Sequence, residues 1–301
     1  MEIKDYSSML IVMDQGIGNM IDLTPALRVL KQLKPDLQIT VLGRQPALQI
    51  VEKTEFVDKV LTEPDGSKYD IGILAIWWNY TVGQYTQQVV DSCKEVFQLD
   101  YRTIDKPEWW VYLEIPRLFG WTGDLAEPFC YIKEPAAIYI DPERVNIAIA
   151  DTAAKASQNK RWPYFPDLVN ALIANDHNVI LVGSDAEARE IQVDKMPASV
   201  INCLGRLSVP ETGYLLSQCD YVVGNDCGIA QMGAIFNVPT IMIFGPTYVP
   251  KNYPLGKNVK VVRHTIDCAP CQYTDKWQNC QDWQCMKQVT LEDVLRALQE
   301  I

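Results

Sequence analysis

Histidine is almost absent from this chain, which has only His177 and His264 in its 301 residues. Chemistry that depends on a histidine base therefore has few candidates. Positive charge is also scarce, since 27 Lys and Arg stand against 38 Asp and Glu, for a formal net charge of −11. A sequence-independent grip on nucleic acid needs clustered basic residues, so we expect no nucleic-acid partner.

Long apolar runs are missing as well. None approaches the roughly 18 residues that a membrane helix needs, and the run Met9–Met13 is too short for a signal peptide. We therefore expect a cytoplasmic protein without an integral membrane segment. In that reducing compartment the nine cysteines do not indicate a disulfide scaffold.

Short apolar segments alternate with helical patterns in both halves of the chain. Met9–Met13 precedes a predicted helix over Asn19–Leu33, and a second alternating block starts at Val145–Ala150. This alternation is typical of a parallel sheet covered on both faces. The segment Tyr131–Arg144, which carries Pro135 and Pro142, is the predicted interdomain connection. We predict an α/β protein with two Rossmann-like domains, residues 1–140 and 141–301.

Two further helix predictions concern the loops between these strands. The aromatic segment Pro107–Gly120 is predicted to be helical up to Pro116. A helix is also predicted from Trp162 to Ala174, with Pro163 in its first turn, where proline is well tolerated.

The stretch Tyr221–Thr247 predicts an anion site. A buried strand runs into Gly224–Gly228, a helix of small residues follows, and a second strand, Thr240–Phe244, ends in Gly245-Pro246-Thr247. Two strand ends thus meet the start of one helix, where unpaired N–H groups favour a phosphate. Asp226 is interpreted as part of that site, as the helix N-cap, or as both at once.

The first strand-to-helix turn, Asp14–Asn19, superficially fits a dinucleotide-binding fingerprint. Ile21 replaces its third glycine, however, and the second strand ends in Gly43-Arg44 rather than in an acidic residue. An NADP-dependent oxidoreductase, with Arg44 at the 2′-phosphate, stays an alternative. The glycines could also serve only a tight turn, or let a sugar or acceptor approach the backbone closely.

Two strand ends of the second block carry candidate ligand-binding residues. Lys160 could neutralise a diphosphate leaving group there, or form a solvated pair with Arg161. Ser184 and Glu187 repeat the arrangement one strand later. Glu187 could accept hydrogen bonds from ribose hydroxyls, or merely favour the first turn of a helix.

Four cysteines cluster in a polar, aromatic loop before the C-terminal helix, within residues 268–285: Cys268, Cys271, Cys280 and Cys285. Four thiolates in so short a span match a tetrahedral structural site for iron or zinc. Free or paired thiols are the alternative. The isolated Cys93, Cys130, Cys203 and Cys219 are interpreted as packing residues.

Six short motifs occur in order along nearly the whole chain. They are G-x-G-N-x-x-x-x-T-P-A-L (Gly16–Leu27), K-R-W-P (Lys160–Pro163), V-G-S-x-x-E (Val182–Glu187), L-S-x-x-E (Leu207–Glu211), G-N-D-C-G (Gly224–Gly228) and F-G-P-T (Phe244–Thr247). Each alone is weak, but the ordered set resembles glycosyltransferase family 9, which includes the ADP-heptose:lipopolysaccharide heptosyltransferases.

The resemblance implies a GT-B fold and an inverting glycosyltransferase without a metal at the diphosphate. Such an enzyme moves a heptose or related sugar from a nucleotide-diphosphate donor, with ADP-heptose expected, to a hydroxyl of a glycan or protein. By position, Lys160 would contact the diphosphate, Glu187 the ribose, and Leu207 the adenine. The donor-binding residues implied are Gly18, Lys160, Ser184, Glu187, Leu207, Asp226, Cys227 and Gly228.

This chain departs from that family at two positions. The family's catalytic aspartate follows the second glycine of the first turn, where Asn19 stands here and cannot act as a base. Asp22, one helical turn later, is the preferred substitute, and Asp14 is the other. Gln231 replaces a usual histidine, which questions heptose as the donor sugar. A non-catalytic nucleotide-sugar-binding protein is therefore an alternative.

The resemblance also bears on the acceptor and the cysteines. Because the composition is acidic, whereas anionic lipids favour basic faces, the expected acceptor is a protein or a soluble glycan. A subgroup of protein heptosyltransferases that modify bacterial autotransporters carries an iron-bound four-cysteine finger at the equivalent place, which this chain resembles in reduced form. The oligomeric state stays open.

Overall fold

The computed structural model describes residues 1–75, 83–99, 106–137, 139–153, 155–191, 193–272 and 274–301, with backbone alone at 83–86 and 155–157. The chain divides into two compact units, Met1–Tyr131 and Ile132–Ile301. The boundary lies inside the proline-bearing connection, nine residues before the predicted limit at residue 140. Each unit is described below by itself.

Unit 1 is built on a five-stranded parallel sheet in the order β3-β2-β1-β4-β5. Its strands are β1 (Ser8–Met13), β2 (Gln38–Gly43), β3 (Lys59–Leu61), β4 (Tyr69–Leu74) and β5 (Cys93–Gln98). Its helices are α1 (Ile17–Leu33), α2 (Gly83–Ser92), α3 (Glu108–Tyr112) and α4 (Glu114–Arg117), with short 3₁₀ turns at Ile3–Asp5 and Ala47–Ile50.

The helix α1 tolerates a proline inside it because a neighbouring hydroxyl replaces the missing donor. Pro25 has no N–H for the Ile21 carbonyl four residues earlier. The Thr24 hydroxyl donates to that carbonyl at 2.7 Å. The helix therefore continues to Leu33 and packs its fully buried Leu23, Leu27 and Leu30 into the core.

Unit 2 is a six-stranded parallel sheet in the order β11-β10-β9-β6-β7-β8. Its strands are β6 (Asn146–Ala150), β7 (Asn178–Leu181), β8 (Ile201–Asn202), β9 (Tyr221–Asn225), β10 (Thr240–Ile243) and β11 (Val259–Val262). Its helices are α5 (Phe165–Ala174), α6 (Asp185–Glu190), α7 (Val209–Ser217), α8 (Gly228–Ile235), α9 (Val249–Asn252), α10 (Asp275–Asn279), α11 (Gln284–Lys287) and α12 (Leu291–Glu300), with 3₁₀ turns at Lys155–Lys160 and Val193–Lys195.

The strand order places the switch point of the unit 2 sheet between β6 and β9, where the connections reverse direction. Ile149 pairs with Val223 and Ala150 with Gly224 across this seam. Ligands of open parallel sheets bind outside the carboxyl ends of the strands at such a point. Gly224 permits the close approach, because a Cβ there would lie 2.9 Å from the Ala150 Cβ.

Most predicted elements are confirmed within a few residues. The helix expected from Trp162 is wrong at its start: it begins at Phe165, its first turn carries Pro166, and Pro163 lies in the preceding turn. The prediction missed β5, an edge strand whose mostly exposed side chains lack an apolar pattern. Among the helices in the described parts of the chain, none is long and apolar enough to cross a membrane.

Candidate functional site

Asn225, the last residue of β9, ties together the loops at the switch point of unit 2. Its side-chain Oδ1 accepts a hydrogen bond from the Trp162 backbone N–H at 2.9 Å, and its Nδ2 donates to the Thr152 carbonyl at 3.0 Å. Asn225 is fully buried. The loop that carries Lys160 is therefore anchored to the end of β9 by a satisfied amide.

Lys160 and Asp226 form an ion pair at the start of α8. The Lys160 Nζ lies 2.8 Å from the Asp226 Oδ2, and the Asp226 side chain is 4% exposed. The N-cap of α8 is Cys227, with no side-chain cap hydrogen bond. The interpretation of Asp226 as the helix N-cap is thus wrong, because its carboxylate pairs with the lysine instead.

The neighbouring Arg161 makes a bidentate pair with Asp151, at the end of β6. Its Nε lies 2.7 Å and its Nη2 3.0 Å from the two carboxylate oxygens. Burial raises the pKa of Asp151 although the guanidinium lowers it. The alternative of a solvated Lys160–Arg161 pair is wrong, since both side chains are mostly buried and each has its own carboxylate partner.

Ser184 and Glu187 form a capping box at the start of α6. The Glu187 Oε2 accepts a hydrogen bond from the Ser184 N–H at 2.9 Å and a second one from its hydroxyl. The first-turn role of Glu187 is confirmed, and its ribose contact stays a prediction. Leu207 is half-buried, directly before the Ser208–Glu211 capping box of α7.

The cysteine loop is hydrogen-bonded to the turns that surround α8. The Cys271 N–H donates to the Pro246 carbonyl at 2.9 Å, and the Tyr248 N–H donates to the Gln272 side chain at 3.0 Å. Asn159, next to Lys160, donates to the Trp277 carbonyl at 3.0 Å. The loop therefore braces both the F-G-P-T turn and the lysine turn.

The four clustered thiols influence one another. Burial and the other three cysteines raise the pKa of Cys285 to about 11, and burial together with Cys268 and Cys280 raises the pKa of Cys271. Four thiolates this close together would repel one another, and a thiophilic cation bound between them would relieve that repulsion. As the described side chains are placed, no three His, Cys, Asp or Glu residues form a group that could hold a metal ion. The metal stays a prediction.

The carboxyl edge of the unit 1 sheet carries Asp14, directly after β1. Its Oδ2 lies 3.0 Å from Arg44 Nη2, whereas the buried Oδ1 has no hydrogen-bond partner among the described residues. Burial raises the pKa of Asp14, and the guanidinium partly offsets this. Arg44 is thus engaged by a carboxylate at the place where a 2′-phosphate was considered.

Asn19 lies in the first turn of α1 and contacts a carboxylate that the sequence interpretation missed. Its Nδ2 donates to the Glu108 Oε1 at 2.5 Å, and the Tyr112 hydroxyl donates to the same oxygen at 3.1 Å. Glu108 is 5% exposed. A signal was available: Glu108 and Tyr112 are one helical turn apart in an otherwise aromatic segment.

The other predicted residues of unit 1 lie on α1. Gly16 is the N-cap and Gly18 belongs to the first turn of the helix. Asp22 is buried within the helix, one turn beyond Asn19. In unit 2, Cys227 is the N-cap of α8 and Gly228 is its first residue.

Two parallel-sheet α/β units, each with polar residues at the carboxyl ends of its strands, are the architecture of the GT-B fold. The chain belongs to glycosyltransferase family 9 (heptosyltransferase), whose family model matches residues 69–281. It is a glycosyltransferase by this membership.

Curated relatives share short segments with the chain. A lipooligosaccharide heptosyltransferase 2 from Haemophilus influenzae is 30% identical over 112 residues, which cover 35% of this chain and 32% of that protein. The match to the Campylobacter jejuni enzyme of the same name covers 46% of its length. The chain thus matches less than half the length of these two relatives. A Haemophilus ducreyi relative is 22% identical over 84% of this chain and 88% of its own.

Solved structures share the fold over the whole chain. A family 9 glycosyltransferase from Veillonella parvula has a TM-score of 0.77 at 18% identity and covers 100% of this chain and 98% of its own. The E. coli ADP-heptose LPS heptosyltransferase II has a TM-score of 0.68 at 17% identity, with 97% and 99% covered. The iron-containing dodecameric glycosyltransferase TibC has a TM-score of 0.71 at 13% identity, with 100% and 79% covered.

Proposed function

We propose that this chain transfers a heptose or related sugar from a nucleotide-diphosphate donor, ADP-heptose, to a hydroxyl of a glycan or protein acceptor, with inversion at the anomeric carbon. The observation that carries the proposal is the Lys160–Asp226 pair at the start of α8. An ammonium group and the N-terminus of an eight-residue helix meet there, at the switch point of a parallel sheet.

This arrangement suits a diphosphate leaving group. When the bond between the anomeric carbon and the donor phosphate breaks, negative charge develops on the nucleoside diphosphate. Lys160 and the N–H groups of Cys227 and Gly228 would stabilise that charge, and no metal is needed for it. Asp226 holds the ammonium group in position until the phosphate arrives.

Two further polar groups of unit 2 support a polar ligand. The Gln231 Oε1 on α8 and the Thr247 Oγ1 in the F-G-P-T turn are buried without a hydrogen-bond partner among the described residues. Buried polar atoms normally have partners. We assign them to hydroxyls of the donor, with Ser184, Glu187 and Leu207 at the nucleoside and Gly18 as a further donor-binding residue.

Donor binding is tested by thermal shift with ADP, GDP and UDP. A ligand of the folded state raises the melting temperature with its affinity. We expect ADP to give the largest shift, and Lys160→Met to raise the ADP Kd about tenfold or more, because charge-assisted hydrogen bonds contribute about 1.5–3 kcal/mol. Lys257→Met, at an exposed lysine of the same unit, is the matched control. Equal ADP affinity in K160M and wild type would contradict the proposal.

The acceptor hydroxyl must lose a proton, and a carboxylate of unit 1 is the group to take it. Asp22 and Asp14 are the candidates from the sequence, with Asn19 beside them. Of the alternatives, an NADP enzyme is disfavoured because Arg44 already faces Asp14. A non-catalytic binding protein would show the ADP shift but release no ADP from ADP-heptose.

We also propose that Cys268, Cys271, Cys280 and Cys285 hold a structural iron or zinc. The mutual effect of these thiols on their pKa values supports the proposal, as does the similarity in fold to TibC, an iron-containing glycosyltransferase. The metal would order the loop that braces Pro246 and Asn159. Metal analysis after anaerobic purification should find about one equivalent of iron or zinc, and less than about half an equivalent would contradict the site.

The free cysteines support a cytoplasmic location, because thiols stay reduced in that compartment.

A further inference from the structure

Within the described part of the chain, two side chains donate to the carboxylate of Glu108 at the carboxyl edge of the unit 1 sheet. Asn19 Nδ2 reaches its Oε1 from α1, and the Tyr112 hydroxyl reaches the same oxygen from α3. The Tyr112 hydroxyl also lies 3.8 Å from the Met13 sulfur, at the last residue of β1. The Glu108 carboxylate therefore accepts hydrogen bonds from α1 and from within α3, and Tyr112 also contacts the end of the central strand.

Holding a carboxylate in this way needs a reason, because burial of an acidic side chain opposes folding. Glu108 is 5% exposed, and it sits 89 positions from Asn19 in the sequence, so the contact is made only by the tertiary fold. An apolar residue beside Tyr112 and Met13 would fill the same space without the free-energy cost of burying a carboxylate. A carboxyl group is therefore kept at the carboxyl edge of the unit 1 sheet despite the cost of its burial, which favours a functional role for it.

The two carboxylates expected from the sequence fit this task less well. The Asp14 Oδ2 is engaged by Arg44 and its Oδ1 is buried, so neither oxygen is presented to an acceptor hydroxyl. Asp22 lies three residues further along α1 than Asn19, which places it about 4.5 Å deeper along the helix axis. Glu108, in contrast, contacts the side chain in the first turn itself.

We infer that Glu108 is the general base that deprotonates the acceptor, with Asn19 and Tyr112 as the positioning residues that hold it. This inference rests on the proposed function. In the step, the acceptor O–H proton passes to the Glu108 carboxylate as the acceptor oxygen bonds to the anomeric carbon. The bond from that carbon to the donor phosphate oxygen breaks, and its electron pair leaves with the nucleoside diphosphate.

The test uses the full chain with ADP-heptose as the probe and water as the acceptor, and it measures ADP release. Glu108→Gln should lower kcat about 10²–10⁴-fold, abolish the acidic limb of the pH–rate profile and leave the ADP-induced thermal shift unchanged. Glu114→Gln, on the adjacent α4 and paired with Arg117 at the surface, is the matched control and should keep full activity. Asp14→Asn and Asp22→Asn complete the series.

A second variant separates catalysis from packing. Glu108→Asp keeps the carboxylate and shortens the side chain by one methylene, so it retains a base near Asn19. We expect E108D to be at least tenfold more active than E108Q. E108Q activity within threefold of wild type would overturn the inference, as would an E108D variant no more active than E108Q. Wild type that binds ADP but releases none from ADP-heptose would instead contradict the proposed function.

Discussion

Replacing Arg161 with methionine should lower the free energy of unfolding of unit 2 by about 3 kcal/mol. The guanidinium makes two hydrogen bonds, at 2.7 and 3.0 Å, to the Asp151 carboxylate, which is 8% exposed. Removing one partner of a buried pair costs about 3–5 kcal/mol, because the other charge stays buried without compensation. The low end applies since the Arg161 side chain keeps 22% exposure to water.

The effect is measurable as a melting temperature. For a unit of this size, 1 kcal/mol corresponds to about 2–4 °C, so R161M should melt about 6–12 °C lower. Lys260→Met is the matched control, because its 2.7 Å pair with Glu300 has both side chains about half exposed. Such exposed pairs contribute little to stability, because water screens the charges. Equal losses in R161M and K260M would refute the argument that burial decides the value of the pair.

The pH dependence gives a second check, with a defined sign. The pKa of Asp151 is already raised by burial, and loss of Arg161 raises it further. A carboxyl whose folded pKa lies above its unfolded pKa destabilises the protein while it is charged, and it stops doing so as the pH falls through the folded pKa. The deficit of R161M should therefore be smaller at pH 5 than at pH 8. A deficit that grows toward acid would contradict this account.

Two further predictions follow from contacts of unit 2. The pKa of Asp293 is lowered to about 2 by His264 and by the hydrogen bonds that its carboxylate accepts from Thr290. Its stabilising contribution should therefore be present above about pH 4 and lost between about pH 4 and 2. Asp293→Asn should remove that part of the acid transition, as measured by urea titration at each pH. An unchanged transition in D293N would contradict the assignment. Asn225→Ala leaves the Trp162 N–H and the Thr152 carbonyl unpaired and should lower the free energy of unfolding by about 2–4 kcal/mol. Urea unfolding followed by tryptophan fluorescence measures this loss, and ADP binding should be weaker as well. A loss below about 0.5 kcal/mol would show that water replaces the amide.

Local patterns were sufficient to predict most elements of both sheets. Buried strands such as β1 and β6 are short apolar runs, and the capping box at Thr290 and Asp293 begins α12 as expected. These features depend on neighbours within four residues, which a sequence displays directly. The edge strand β5 was missed because its side chains are mostly exposed, so it has no apolar alternation to read.

The donor side of the site could be predicted in part. Lys160 and Asp226 were both recognised, from the turns in which they lie. Their pairing was not, because it joins the end of β6 to the end of β9 across the sheet seam. That pairing decided the role of Asp226 against the N-cap, since the extended backbone at Cys227 places the cap one residue later.

The amino-acid sequence by itself determined the α/β class, the two units, the family and the turns proposed to bind a phosphate, because each is written in a local pattern of apolar, glycine and capping residues. Only the tertiary structure decided which charged groups meet. Glu108 accepts a hydrogen bond from Asn19, which lies 89 residues away in the sequence, and Arg161 forms an ion pair with Asp151 instead of being solvated. Such contacts depend on how strands are ordered in a sheet, and a linear pattern does not contain that order.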